Sequence, residues 1–177
     1  MIEFNEFPKI ARFNRDVIVT EKIDGTNAQV FIDDDGNLFA GSRNRWLTVD
    51  KDNFGFARWV EDNREELLKL GPGRHFGEWW GNGIQRGYGL KAKRFSLFNA
   101  SRWTDETCPM CCYVVPVLFA DLFENLNTGY LLKQLEETGS VAAPGFMDPE
   151  GIVIFHTAAS VMFKRTIKND EKHKGEL

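Results

Sequence analysis

Short β-branched runs alternate with turn residues over most of the chain. Residues 16–20 (Asp-Val-Ile-Val-Thr) and 28–32 read as strands, and Asp34-Asp35-Gly36-Asn37 between the second run and residues 38–40 is the signature of a hairpin with an Asp-Gly turn. Over 52–70 the apolar residues Phe56, Val60, Leu67 and Leu70 recur at mainly helical spacing among Glu and Arg, until Gly71-Pro72-Gly73 stops the chain. An amphipathic helix stacked on a sheet is expected there. Residues 113–121 read as a buried strand, 128–138 as a helix capped by Thr128 and ended by Gly139, and 151–156 and 161–167 as two more strands. The connections are short and hairpin-like, without the regular strand-helix alternation of a doubly wound sheet. They predict an α+β fold of antiparallel sheets flanked by helices. No repeat or linker marks a boundary, so one domain is expected over 1–168, followed by a flexible tail over 169–177 whose nine residues are too few for a separate C-terminal domain. The glycine-rich stretch 71–89 is interleaved with Arg74, Trp79, Trp80 and Arg86 and reads as the wall of a site rather than a tether.

Composition narrows the class. The chain has 177 residues, 42% of them hydrophobic and 27% charged, which supplies a real core and excludes disorder. No apolar run approaches the roughly 20 residues of a membrane span, and the first eight residues lack the basic start and apolar block of a signal peptide. A protein of the cytoplasm with no membrane contact is therefore expected. The net charge of −4 argues against coating nucleic acid by bulk electrostatics, so a polyanion must meet a local basic patch. Arg43, Arg45, Arg74, Arg86, Lys91, Lys93 and Arg94 are its candidates. The three cysteines, Cys108, Cys111 and Cys112, are odd in number and crowded, which disfavours a disulfide framework. Cys108-Pro109-Met110-Cys111 has the spacing of half a zinc site that His75 or His156 could complete; without a second pair, the plainer reading is a loop entering a strand.

Candidate chemistry begins directly after the first strand. In Glu21-Lys22-Ile23-Asp24-Gly25-Thr26-Asn27 a lysine stands at a turn between two strands, where its amine can project into a cleft. An amine is a nucleophile only without its proton, and a nearby cation or desolvation favours that form. Phe76-Gly77-Glu78, Phe95-Ser96-Leu97-Phe98-Asn99, Glu150-Gly151-Ile152-Val153 and Phe163-Lys164-Arg165-Thr166-Ile167-Lys168 follow in order. Each alone is unremarkable, since an acid, an aromatic or a lysine at such places is commonly structural.

Together they resemble the covalent nucleotidyltransferase superfamily of polynucleotide ligases and mRNA-capping enzymes, most closely its phage-type ATP-dependent RNA ligases. The resemblance spans about 20–168 and implies a ligase-type nucleotidyltransferase (adenylation) domain. Lys22-Ile23-Asp24-Gly25 is similar to the nucleotide-attachment motif, which makes Lys22 the nucleophile, with Glu21 and Asn27 beside it as nucleotide-binding residues. Ser42-Arg43 resembles the motif whose arginine lies near the reacting strand end. Glu78 matches the acid that hydrogen-bonds the ribose, and Phe98 the aromatic that stacks on adenine, although Asn99 stands where an aspartate is usual. Glu150 matches the glutamate that organises a divalent metal. The final motif usually reads Lys-x-Lys; here Thr166 takes the second place, so Lys164 is expected at the α-phosphate and Lys168 is the weaker candidate for a second cation.

The implied cofactors are ATP and Mg2+ or Mn2+, and the implied substrates are RNA or other polynucleotide ends, a 5′-phosphate and a 3′-hydroxyl, with AMP carried on Lys22. A partner protein could add grip on the nucleic acid. The residue types suit the chemistry, since an amine attacks, cations absorb charge developing on phosphoryl oxygens, and magnesium needs only one or two carboxylates. A GTP-using capping-type guanylyltransferase shares the lysine chemistry, and a non-catalytic nucleotide- or RNA-end-binding module would share the fold.

Overall fold

A computed structural model describes residues 2–171. The fold consists of two sheets, each carrying helix on one face, with the remaining faces turned toward a common cleft. Strands β1 (Asp16–Lys22), β2 (Thr26–Ile32), β3 (Leu38–Ser42), β4 (Trp46–Leu47), β5 (Gly73–Gly81), β6 (Lys93–Leu97) and β7 (Cys112–Val114) precede β8 (Val117–Leu122), β9 (Gly151–His156) and β10 (Val161–Thr166). The larger sheet runs β4-β3-β2-β5-β6-β7 and the smaller β10-β9-β1-β8. All pairs are antiparallel except β6 with β7. The larger sheet is thus built wholly from the chain between β1 and β8, as a continuous insertion into the smaller one.

Strand alternation assigns the faces. In β1, Val17 and Val19 are buried against Ile152, Ile154 and helix α3 (Thr128–Thr138) through Leu131 and Leu135, each such side chain contributing roughly 1.5–3 kcal/mol of hydrophobic stabilisation. Ile18, Thr20 and Lys22 face the cleft. In β2, Ala28, Val30 and Ile32 enter the core, where Phe56, Trp59, Trp79 and Phe95 pack with ring centroids 5.1–5.6 Å apart. A third, smaller cluster of Ile23, Trp80, Tyr88, Val115 and Ala143 seals the junction of the two sheets.

The α+β class and both predicted hairpin strands are present. Asp33 closes their turn by accepting from the backbone of Asp35 and Asn37 and from the Asn37 amide, while Gly36 takes φ 79°. Three expectations need correction. The helix expected over 52–70 is broken into α1 (Phe56–Asp62), α2 (Arg64–Leu67) and a 3-10 turn (Leu68–Leu70) at Asn63, whose backbone leaves the helical region (φ −112°, ψ 21°) while its side-chain amide donates to Trp59 O. Helix α3 is capped by Asn127, whose Oδ1 accepts from Tyr130 N, and Thr128 instead accepts from Arg165. The single strand over 113–121 is two strands in different sheets: the chain crosses at Val115-Pro116, where Val115 N–H donates to Leu97 O and Pro116 O accepts from Glu21 N. The glycine-rich stretch does wall the cleft, through β5, a central strand in which Gly77 lies so close to β6 that a Cβ there would meet Ser96 O at 2.4 Å.

The tail expectation over 169–177 falls partly outside the described residues. Asp170 accepts from Thr166 N and pairs with Arg165, closing the end of β10. Among the described residues no helix is long and apolar enough to cross a membrane, and no three His, Cys, Asp or Glu side chains gather as a metal site. Cys111 and Cys112 Sγ lie 3.9 Å apart and pack with Cys108 on the edge of the larger core.

Candidate active site

The cleft between the sheets has a volume of about 940 Å³. Lys22, the last residue of β1, stands opposite Gly151 of β9. Its Nζ donates to Glu150 Oε2 at 2.6 Å, with only 19% of the lysine side chain and 6% of the glutamate side chain exposed. Glu150 is set by its own loop, since its carbonyl accepts from Ile167 N beyond β10. Lys164 on β10 pairs with Val153, which pairs in turn with Thr20, so Lys22 and Lys164 share the cleft face two strand spacings apart, about 10 Å across the sheet. Among the described residues the Lys164 side chain makes no hydrogen bond or ion pair.

The opposite wall comes from the larger sheet. Glu78 on β5 stands directly across from Asn27 on β2, accepting from Asn27 Nδ2 at 3.2 Å and from Gly25 N at 3.0 Å. Burial pushes its carboxyl up to about 7, against the lowering pull of the Lys22 charge and the Gly25 N–H; Glu150 and Asp24 add a smaller upward push. Gly25 is required by closeness: a Cβ would meet Trp79 O at 2.5 Å and Trp80 Cβ at 2.7 Å. Phe98 follows β6, bonds Phe76 O through its N–H, and remains 39% exposed in the cleft. Arg43, in the turn between β3 and β4, lines the outer rim.

Two nominated residues are placed differently. Glu21 borders the cleft, but alternation along β1 turns its side chain to the far face, where Ser140 Oγ donates at 2.6 Å and the Val141 and Ala142 amides at 2.8 and 2.9 Å. It anchors the 140–143 turn, and burial raises its carboxyl despite those donors. Lys168 lies beyond β10, exposed, and pairs with Asp148 at 2.7 Å rather than entering the cleft; the strand ends at Thr166, so the alternation that would have aligned Lys168 with Lys164 stops short of it. The expected basic patch also disperses. Of its seven members only Arg43 and Arg74 line the cleft. Arg45 holds the Lys51 and Asp52 carbonyls, Lys93 holds Phe54 O, and Arg94 lies over Trp80 and Tyr113.

Sequence reasoning missed the clamp made by Arg86. Its Nε donates to Asp24 Oδ2 at 3.0 Å, while its NH1 reaches Asp148 O at 2.7 Å and Pro149 O at 3.3 Å. The loop after Lys22 is thereby tied to the loop carrying Glu150, and Tyr88 Oη adds a bond from Asp24 N at 2.8 Å. No local pattern announces it, because its partners are 62 residues away along the chain.

The two-sheet fold is shared with solved RNA ligase structures from Naegleria gruberi. An apo mutant aligns with a TM-score of 0.61 at 23% identity over 90% of this chain and 52% of its own. A mutant with ATP and Mn aligns at 0.63 and 22% identity over 92% of this chain and 53% of its own; one with AMP and Mn aligns at 0.62 and 23% over the same shares. This chain spans about half the length of those proteins. The family model described as RNA ligase matches residues 15–168, and the chain belongs to the RNA ligase family. No curated protein matches its sequence.

Proposed function

We propose that the chain is an ATP-dependent RNA ligase domain that adenylylates Lys22 and passes AMP to a polynucleotide end. The observation that carries this reading is the meeting of Lys22, Glu78, Phe98 and Lys164 in one cleft from both sheets, with buried Glu150 held 2.6 Å from Lys22 Nζ. Lys22 Nζ attacks the α-phosphorus of ATP: an N–P bond forms, the bond to the bridging oxygen breaks, and pyrophosphate leaves with the electron pair. Glu150 Oε2, already 2.6 Å from Nζ, stands where it can receive the proton the amine gives up. Lys164, unengaged by other described residues, meets the negative charge that develops on the α-phosphate. Glu78 accepts from the ribose hydroxyls and Phe98 stacks on the base.

Mg2+ or Mn2+ fits this site, because a hard cation that keeps most of its waters requires only one or two carboxylates, and Glu150 supplies one beside Lys22. When bound, the ion supplies neutralisation of phosphate charge. In the following steps a 5′-phosphate oxygen displaces Lys22 from AMP, and a 3′-hydroxyl then displaces AMP to form the phosphodiester. The Naegleria ligases crystallised with ATP, AMP and Mn support the choice of nucleotide and metal. The test is covalent labelling with α-labelled ATP and Mg2+ or Mn2+. The parent protein is expected to take up label and Lys22→Ala none; labelling by GTP alone would favour capping chemistry, and a folded protein labelled by neither would overturn the enzymatic reading.

A further inference from the structure

On the larger sheet the face opposite the core carries an aromatic surface that the core does not require. Val30, Ile32, Ala40 and Leu47 already fill the buried side of β2, β3 and β4. On the cleft side, Phe31 stands directly across from Phe39, and Trp46 joins them, with ring centroids 5.9–6.1 Å apart. Phe39 and Trp46 remain 43% and 49% exposed. The Arg74 guanidinium lies 4.7 Å from the Phe31 ring and 5.3 Å from the Trp46 ring, steadied by a 3.0 Å bond to Gln29 Oε1. Among the described residues no carboxylate pairs with Arg74 or with Arg43. The surface is continuous with the nucleotide site: Asn27, Gln29 and Phe31 follow one another on the same face of β2, so the rings begin about 13 Å from the Asn27–Glu78 contact, one to two nucleotides away.

We infer that Phe31, Phe39, Trp46 and Arg74 form a stacking platform for unpaired bases of the RNA strand whose end enters the cleft, an inference that rests on the ligase reading above. Flat rings offer stacking to any base, and the arginine combines a stacking plane with a charge for the strand's phosphates. An apolar peptide would fit the rings but would cover Arg74 without giving its charge a partner; a polynucleotide satisfies both.

The full chain is titrated with a fluorescent single-stranded RNA bearing a 5′-phosphate and with a matched strand whose terminal nucleotides are abasic, while lysine labelling is measured separately. Trp46→Ala and Phe39→Ala are expected to weaken RNA binding about tenfold or more, to leave abasic-strand binding within twofold, and to leave AMP labelling unchanged. Trp46→Phe is expected to bind nearly as the parent but to lose most of the tryptophan quenching that RNA causes, a readout independent of any folding defect in the alanine variants. Unchanged RNA affinity, equal losses on both strands, or quenching that survives Trp46→Phe would each overturn the platform. Absence of labelling in the parent would instead overturn the ligase reading, leaving the binding comparison to decide the platform alone.

Discussion

Glu78 is a carboxyl in a setting that opposes its charge. Its folded pKa of about 7 lies above the ordinary 4.5, so between those values the native state keeps a proton that the unfolded chain releases. The contribution of Glu78 to stability is therefore full below about pH 4.5 and is lost as pH rises to 7, by up to roughly 3 kcal/mol. Glu21, also raised by burial, works in the same direction. Glu78→Gln should accordingly flatten, without abolishing, the fall in the urea midpoint between pH 5 and 8; an unaltered slope would mean another group titrates there. Ribose hydroxyls favour the charged acceptor, so ATP affinity should rise over the same interval.

At the scale of elements, the site depends on loops held in register by Arg86. Replacing it with alanine unhooks the Glu150 loop from the Lys22 loop while leaving every nucleotide contact chemically intact. Arg86→Ala should slow single-turnover labelling about ten- to a hundredfold with a smaller change in ATP affinity, and Arg86→Lys should recover little, since one ammonium cannot reach Asp24 and two carbonyls together. Equal losses in both measurements would show a general loosening instead. The same scale shows what a sequence can disclose. β1, β2, β9 and α3 are legible because alternation or helical spacing is written into adjacent residues, and Lys22, Asn27, Glu78, Phe98, Glu150 and Lys164 can be nominated because they lie in short motifs. β5 is hidden by glycines and tryptophans that carry no clear period, and the split between β7 and β8 by the fact that sheet membership is decided by distant partners. Glu21 follows from alternation along β1, but its partners at 140–142 do not.

Across the whole molecule the net charge of −4 limits how the proposed RNA substrate would be held. With Arg43, Arg74, Arg102 and Lys164 as the described cleft cations not engaged by carboxylates, single-stranded RNA should bind with a log K versus log salt slope near −3, from about −0.7 per phosphate contact. A slope steeper than about −5 would place a larger basic surface elsewhere. The arrangement of the two sheets also bears on biosynthesis. As the polypeptide leaves the ribosome, β2 through β7 can complete their sheet while β1 still lacks both neighbours, since β8 and β9 are translated later. A product ending before residue 117 would thus carry Lys22 but neither Glu150 nor Lys164, so under the proposed chemistry premature products are born inert.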